Sequence, residues 1–340
     1  MGLDKDCKID LKPLFERGER NLISDVEGVT VGHTTLISED GQVNTGVTVV
    51  MPHQGNIFRE KLLCGTSVIN GFGKSAGLIQ IRELGTLESP IFMTNTLSVG
   101  TVLTAGVKYS LENNPEIGVS TGTVNCLVTE CSDAPLNDIR GLHVTEDDVF
   151  KAIENARADF EEGVVGAGTG MVMMSHKGGI GSSSRKVKIG DKTYTTGALV
   201  MSNYGNVRNL TIGGDPVGRR LVKKNEPDKG SCILIVATDA PLSSRQLDRV
   251  ANRAAHALAR TGSYSGNGSG DVAIAFSTAN RVEHFPSAVS KSFEFLYDEY
   301  IDALFAASVE AMEEALISSL VHGHTVKGVR GRVVEGFKYE

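Results

Sequence analysis

Gly230-Ser231-Cys232-Ile233-Leu234-Ile235-Val236-Ala237-Thr238 is the strongest buried-strand signal in the chain. A short apolar run rich in β-branched residues, with no helical spacing, reads as a strand covered on both faces. It is preceded by Arg219-Arg-Leu-Val-Lys-Lys-Asn-Glu-Pro-Asp-Lys-Gly230, a charged segment that contains breakers. An exposed linker thus delivers a Gly-Ser bond to the mouth of a core strand. Working outward, Thr195–Met201 and Asp271–Ser277 read as further strands, as do Gly28–Gly32 and Thr45–Val50.

Helices are expected elsewhere. One runs from Thr96 to about Glu112 and stops before Asn113-Asn114-Pro115. A second starts at Thr145, where Thr145 and Asp148 form a capping-box pattern, and ends near Gly163. A third follows Ser243 or Ser244, with Leu247, Val250, Ala254 and Leu258 at helical spacing and Gly262 at the stop. The last covers roughly Phe293 to Val321, before Gly323. Strands cluster apart from long helices, which favours layered α+β over strict βαβ alternation.

Composition bounds the function. The chain has 340 residues, 40% hydrophobic and 22% charged, within the range of an ordinary globular protein. Its 39 glycines point to tight turns and close backbone approaches. A net charge of −7 without a basic stripe argues against nucleic acid as a partner. No apolar run is long enough for a membrane span, and Met1–Cys7 lacks the apolar core of a signal peptide. The cysteines (Cys7, Cys64, Cys126, Cys131, Cys232) are odd in number and form no CxxC pair, which suits reduced thiols in a cytoplasm. No residue set shows metal-ligand spacing; His322-Gly-His324 follows a helix end.

Four stretches call for a chemical reading. If the chain cuts itself before Ser231, that serine gains a free α-amine, which titrates near ~7.7–8.0 and can serve as its own base. The plainer reading is a loop-to-strand junction. Ser269-Gly270-Asp271 places a hydroxyl and a carboxylate two apart, on one face of a strand, although Asn267-Gly-Ser-Gly is also turn chemistry. Gly118-Val-Ser-Thr-Gly122 matches G-x-S-x-G but lacks the strand before and the helix after that a nucleophile elbow requires. Lys177-Gly-Gly-Ile-Gly-Ser-Ser-Ser-Arg185 is no P-loop and is expected to be a tight turn beside the active region. Cys232 should face away from Ser231, one residue on in a strand.

Taken together, these motifs resemble the DmpA-type aminopeptidases, a family that includes L-aminopeptidase/D-esterase enzymes and β-peptidyl aminopeptidases. The likeness rests on Ser24-Asp-Val-Glu-Gly-Val-Thr-Val-Gly-His33, Asn70-Gly-Phe-Gly-Lys74, Thr94-Asn-Thr-Leu-Ser-Val-Gly100, the Lys177–Arg185 stretch and Asn203-Tyr-Gly205. It also rests on Gly230-Ser231 followed by Ala237-Thr-Asp-Ala-Pro-Leu242, and on Ser269-Gly-Asp271 followed by Phe276-Ser-Thr-Ala-Asn280. These occur in one order over nearly the whole chain.

The resemblance implies an αββα sandwich similar to N-terminal-nucleophile hydrolases, with different connectivity. It implies one domain cut at Gly230-Ser231 into residues 1–230 and 231–340, with Ser231 as nucleophile. Ser269 and Asp271 would support its hydroxyl and amine, Asn203 would donate to the oxyanion, and Glu130 would grip the substrate's free amine. Substrates would be small peptides, amino-acid amides or esters; no cofactor is implied, and a homotetramer is. An acyltransferase of the ornithine acetyltransferase type is a rival, although those use Thr after Ala. An uncleaved amine-binding protein is another. After Glu130 the sequence departs from the family: Cys131-Ser-Asp-Ala-Pro-Leu-Asn-Asp138 replaces an aromatic wall by Pro135 and a hydroxyl by Cys131.

Overall fold

The computed structural model describes residue 9, residues 11–221 and residues 230–339. Cys7 and most of the charged segment ahead of Ser231 lie outside the described residues. In chain order the strands are β1 (Thr30–Ile37), β2 (Asn44–Met51), β3 (Glu60–Gly71), β4 (Thr86–Leu87), β5 (Ile91–Asn95) and β6 (Leu127–Cys131). Then come β7 (Val172–Met173), β8 (His176–Lys177), β9 (Gly179–Ile189), β10 (Lys192–Asn203), β11 (Ser231–Thr238) and β12 (Gly270–Glu283), with a small ribbon of β13 (Val326–Lys327) and β14 (Val333–Val334). The helices are α1 (Leu78–Leu84), α2 (Val99–Asn113), α3 (Glu146–Glu154), α4 (Gly218–Leu221), α5 (Ser244–Ala251), α6 (Ala254–Arg260) and α7 (Asp302–Val321).

Two sheets stack face to face. One has the order β1-β2-β5-β6, the other β4-β3-β12-β11-β10-β9. Between them Ile233, Ile235, Ile274 and Phe276 share a buried core with Val50, Met93 and Leu127. On the far side of the larger sheet, Leu234 and Val236 join α5, α6 and α7 through Leu247, Leu258 and Leu316. On the far side of the smaller sheet, Val47, Val49 and Phe92 meet α2 and α3 through Val102 and Val149. This is the expected αββα layering. It explains the uniform run of β11, a central strand in a sheet covered on both faces, where each fully buried Ile, Leu or Val contributes ~1.5–3 kcal/mol. The parallel pair β11/β12 needs a crossover, which α5 and α6 supply.

Several element ends differ from expectation. The Thr145/Asp148 capping box is present, but α3 ends at Glu154 rather than near Gly163. There the chain turns to pair Arg157 with Val31 on the edge of β1. The helix after Ser243 is two helices. Its bonding tightens at Asn252 and Arg253, where Asn252 is held by Ser67 and Arg253 lies over the Phe305 ring. The last helix starts at Asp302, not Phe293, because Asp298 is tied to Arg245, Arg249 and Gln246 and Leu296 donates to Pro241. Gly118–Gly122 is a turn with an exposed Ser120, as its context implies. No helix among the described residues is long and apolar enough to cross a membrane.

The main correction concerns Lys177–Arg185. It is not a turn; from Gly179 onward it is strand β9, packed under α7. Its glycines serve a close approach: a Cβ on Gly181 would lie 2.0 Å from the Ala315 carbonyl oxygen. Its serines bond outward, Ser182 to Ala198 O and Ser183 to Ala311 O. At the end of that stretch the fully buried Arg185 pairs with Glu310 and Glu314, and Glu314 also accepts from Asn21 (2.6 Å) and Arg17 (3.0 Å). Glu314→Ala should destabilise the fold by about 3–5 kcal/mol, because it removes the fully buried partner of a buried guanidinium and leaves Glu310 as its one carboxylate. Chemical denaturation checks this; a loss no larger than that of a surface mutation would show the network to be dispensable.

Candidate active site

Three neighbouring strand ends form the site. In the larger sheet Ser231 lies directly opposite Asn203 of β10 and beside Gly270 of β12. The strand alternation puts Ser231 on the side of the inter-sheet core and Cys232 on the side of the helices. Burial holds the Cys232 thiol well above its ordinary pKa, so it is no rival nucleophile. Ser231 is itself 7% exposed.

The glycines here are obligatory. Gly230 has φ +121°, and a Cβ on it would lie 1.8 Å from the Asn203 carbonyl oxygen. Gly270 has no room either: its Cβ would meet Phe72 O at 2.6 Å and Ser231 Oγ at 3.2 Å. The Gly270 N–H reaches both the Gly230 carbonyl oxygen (3.2 Å) and Ser231 Oγ (3.3 Å). In the continuous chain the Ser231 nitrogen is a peptide amide and becomes an amine only on cleavage.

Ser269 Oγ donates to Asp271 Oδ1 at 2.7 Å, and both residues are buried. This pair stands at the start of β12, with Asp271 in register with Cys232. Asn70, named in the sequence only as part of a motif, pins the loop in front: its Nδ2 donates to the carbonyls of Ser269 (2.5 Å) and Gly266 (3.1 Å). Its partners are backbone carbonyls of a loop that spacing alone does not bring near, so no local signal announced the role.

Asn203 is oriented from two sides. Val172 N–H donates to its Oδ1 at 2.9 Å, and its Nδ2 donates to Ser132 O at 3.0 Å. Both neighbours demand the same amide orientation, leaving one N–H for another acceptor. Glu130 is on β6 and only 3% exposed. Its Oε1 accepts from Lys74 N at 2.8 Å and its Oε2 from Thr96 Oγ1. Gly73 bridges the two halves: a Cβ there would lie 3.2 Å from Glu130 Oε1 and 3.8 Å from Gly270 Cα. Gly73 thus lies between Glu130 and the Gly270 backbone that flanks Ser231.

The segment after Glu130 is less of a pocket wall than its sequence suggests. Cys131 is fully buried in the inter-sheet core, and Leu136 packs into a small satellite core. Asp133 is also buried, and burial pushes its carboxyl up to about 6. Among the described residues no group of three or more His, Cys, Asp or Glu is placed to hold a metal ion.

The model of peptidase family S58 matches residues 21–334. The beta-peptidyl aminopeptidase BapA of Sphingosinicella xenopeptidilytica is 37% identical over 351 aligned residues, covering 95% of this chain and 86% of that protein. Among solved structures, the PH0078 protein of Pyrococcus horikoshii OT3 superposes with a TM-score of 0.94 at 52% identity, covering 99% of this chain and 96% of that one. The L-aminopeptidase D-Ala-esterase/amidase of Ochrobactrum anthropi superposes with a TM-score of 0.90 at 33% identity, covering 96% and 93% of the two chains. That enzyme is described as a prototype of the serine aminopeptidases and a new variant of the Ntn hydrolase fold.

Proposed function

The chain belongs to peptidase family S58 and is a serine aminopeptidase/amidase with a variant Ntn-hydrolase fold, and we propose that it activates itself at Gly230-Ser231. In the first step Ser231 Oγ attacks the Gly230 carbonyl carbon. The C–O bond forms, the C–N bond breaks, and the nitrogen takes a proton to become an amine. Water then hydrolyses the ester, leaving a Gly230 carboxylate and a free Ser231. The Gly270 N–H, already bonded to the Gly230 oxygen, is positioned to stabilise the charge that develops there. Residues up to 230 and from 231 onward would then be two chains of one enzyme.

In turnover, the freed amine takes the Ser231 hydroxyl proton as Oγ attacks the substrate carbonyl. Ser269 and Asp271 support that hydroxyl and amine. Asn203 donates to the oxyanion, and Glu130 binds the substrate's ammonium. The observation that carries this reading is that Asn203 and Ser231 are paired at adjoining strand ends, with Ser269–Asp271 at the end of the next strand and Glu130 across Gly73. The substrates proposed are small peptides, amides or esters with a free amine. The BapA relative acts on β-peptidyl substrates by its name, which makes short β-amino-acyl units candidate substrates here. Family membership does not favour the acyltransferase or the uncleaved binding protein.

A homotetramer in the cytoplasm completes the proposal. Exposed Val68, Ile79 and Leu84 on β3 and α1 support association, and the four buried free cysteines among the described residues suit a reducing compartment. The activity test compares a dipeptide amide with its N-acetylated form. A site built around a buried carboxylate should reject the acetylated form by a factor on the order of 10⁴. Equal rates would remove Glu130 from substrate binding.

A further inference from the structure

One buried charge beside the site remains without a role. Lys177, at the end of β8, is fully buried, and its Nζ donates to the carbonyls of Gly168 (3.0 Å), Met171 (2.8 Å) and Gly178 (2.8 Å). No carboxylate among the described residues pairs with it. Three acceptors around one nitrogen match the three donors of an ammonium. Burial without a counter-ion lowers its pKa to about 7, while the three carbonyls, one for each ammonium proton, favour the charged form.

What this ammonium touches is informative. The Met171 carbonyl belongs to the same planar peptide unit as the Val172 N–H. That N–H is the donor that orients Asn203 Oδ1. Ammonium, peptide and carboxamide therefore form one line, which ends at the Asn203 Nδ2. Hydrogen bonds arranged in series polarise one another. A cation at the carbonyl end makes the Val172 N–H a better donor, draws density from Asn203 Oδ1, and strengthens Nδ2–H as a donor.

We propose that Lys177 is a positioning residue for the reaction, fixing and polarising the Asn203 carboxamide through the Met171–Val172 peptide. The inference rests on reading Asn203 as the oxyanion donor. It is tested by a double-mutant cycle on the processed enzyme, using Lys177→Met, Asn203→Ala and the pair, with melting curves to confirm folding. Lys177→Met should lower kcat roughly ten- to a hundredfold, with KM within about twofold. In the Asn203→Ala background the same change should cost less than about twofold. Equal losses in both backgrounds would overturn the relay and leave Lys177 a brace of the fold. Full kcat in Asn203→Ala alone would overturn the oxyanion reading instead, a separate failure. If Lys177→Met does not fold, Lys177→Gln, which keeps two donors and loses the charge, enters the same cycle with the same expected pattern.

Discussion

Ser231→Ala should purify as one uncut chain with no measurable turnover, where the wild type gives two fragments that part at Gly230-Ser231. Both losses have one cause. The hydroxyl that would attack the Gly230 carbonyl is the hydroxyl that would attack substrate, and without cleavage the Ser231 nitrogen stays a peptide amide with no basic lone pair. The loss in kcat should approach ~10⁶-fold, the scale on which removing a serine nucleophile leaves only binding and oxyanion stabilisation. Alanine leaves the surroundings intact: Ser231 Oγ accepts one weak bond from Gly270 N–H, and that N–H keeps the Gly230 oxygen as partner. Intact mass on both proteins, after incubation at neutral pH, reads the first effect, and an amidase assay reads the second. A wild type that stays at full-length mass would deprive Ser231 of its base and leave the proposed mechanism without a starting point. In the cut enzyme, activity should fall as pH drops below the amine's range near ~7.7–8.0, because only the neutral amine accepts a proton.

How much of this was legible depends on how local each signal is. The β11 run and the Thr145/Asp148 cap are written in neighbouring residues, and the structure has them; the stop expected before Asn113-Asn114-Pro115 falls one residue later, at Asn113. Distant partners set the end of α3 and the start of α7, which neighbouring residues do not announce: Val31 captures Arg157, and Arg245 and Arg249 capture Asp298. Gly and Ser in Lys177–Arg185 mimic turn chemistry, yet they answer to the backbone of α7 crossing β9. The candidate site was legible through family motifs, not through spacing. Asn203, Ser231 and Ser269–Asp271 are brought together only by β-sheet register. Thr96 and Asn70 hold Glu130 and Ser269 in place, and nothing local marks either as a support.

Glu130→Gln should separate substrate recognition from self-activation. The change preserves shape and leaves one oxygen to accept from Lys74 N–H, but it removes the charge. An ammonium brought into that 97%-covered corner would lose water without gaining an anion. The penalty should be about 2–4 kcal/mol, or roughly 30- to 1,000-fold in kcat/KM, most of it in KM. Cleavage at Gly230-Ser231 should proceed at the wild-type rate, since the precursor presents no free amine there. Progress curves with a free-amine amide, beside intact mass of the precursor, read the two effects separately. An unchanged KM would move the amine site elsewhere; a blocked cleavage would make Glu130 part of the fold. The variant should also narrow the gap between free and acetylated substrates, because selectivity is a difference between two affinities and only the favoured one uses the charge.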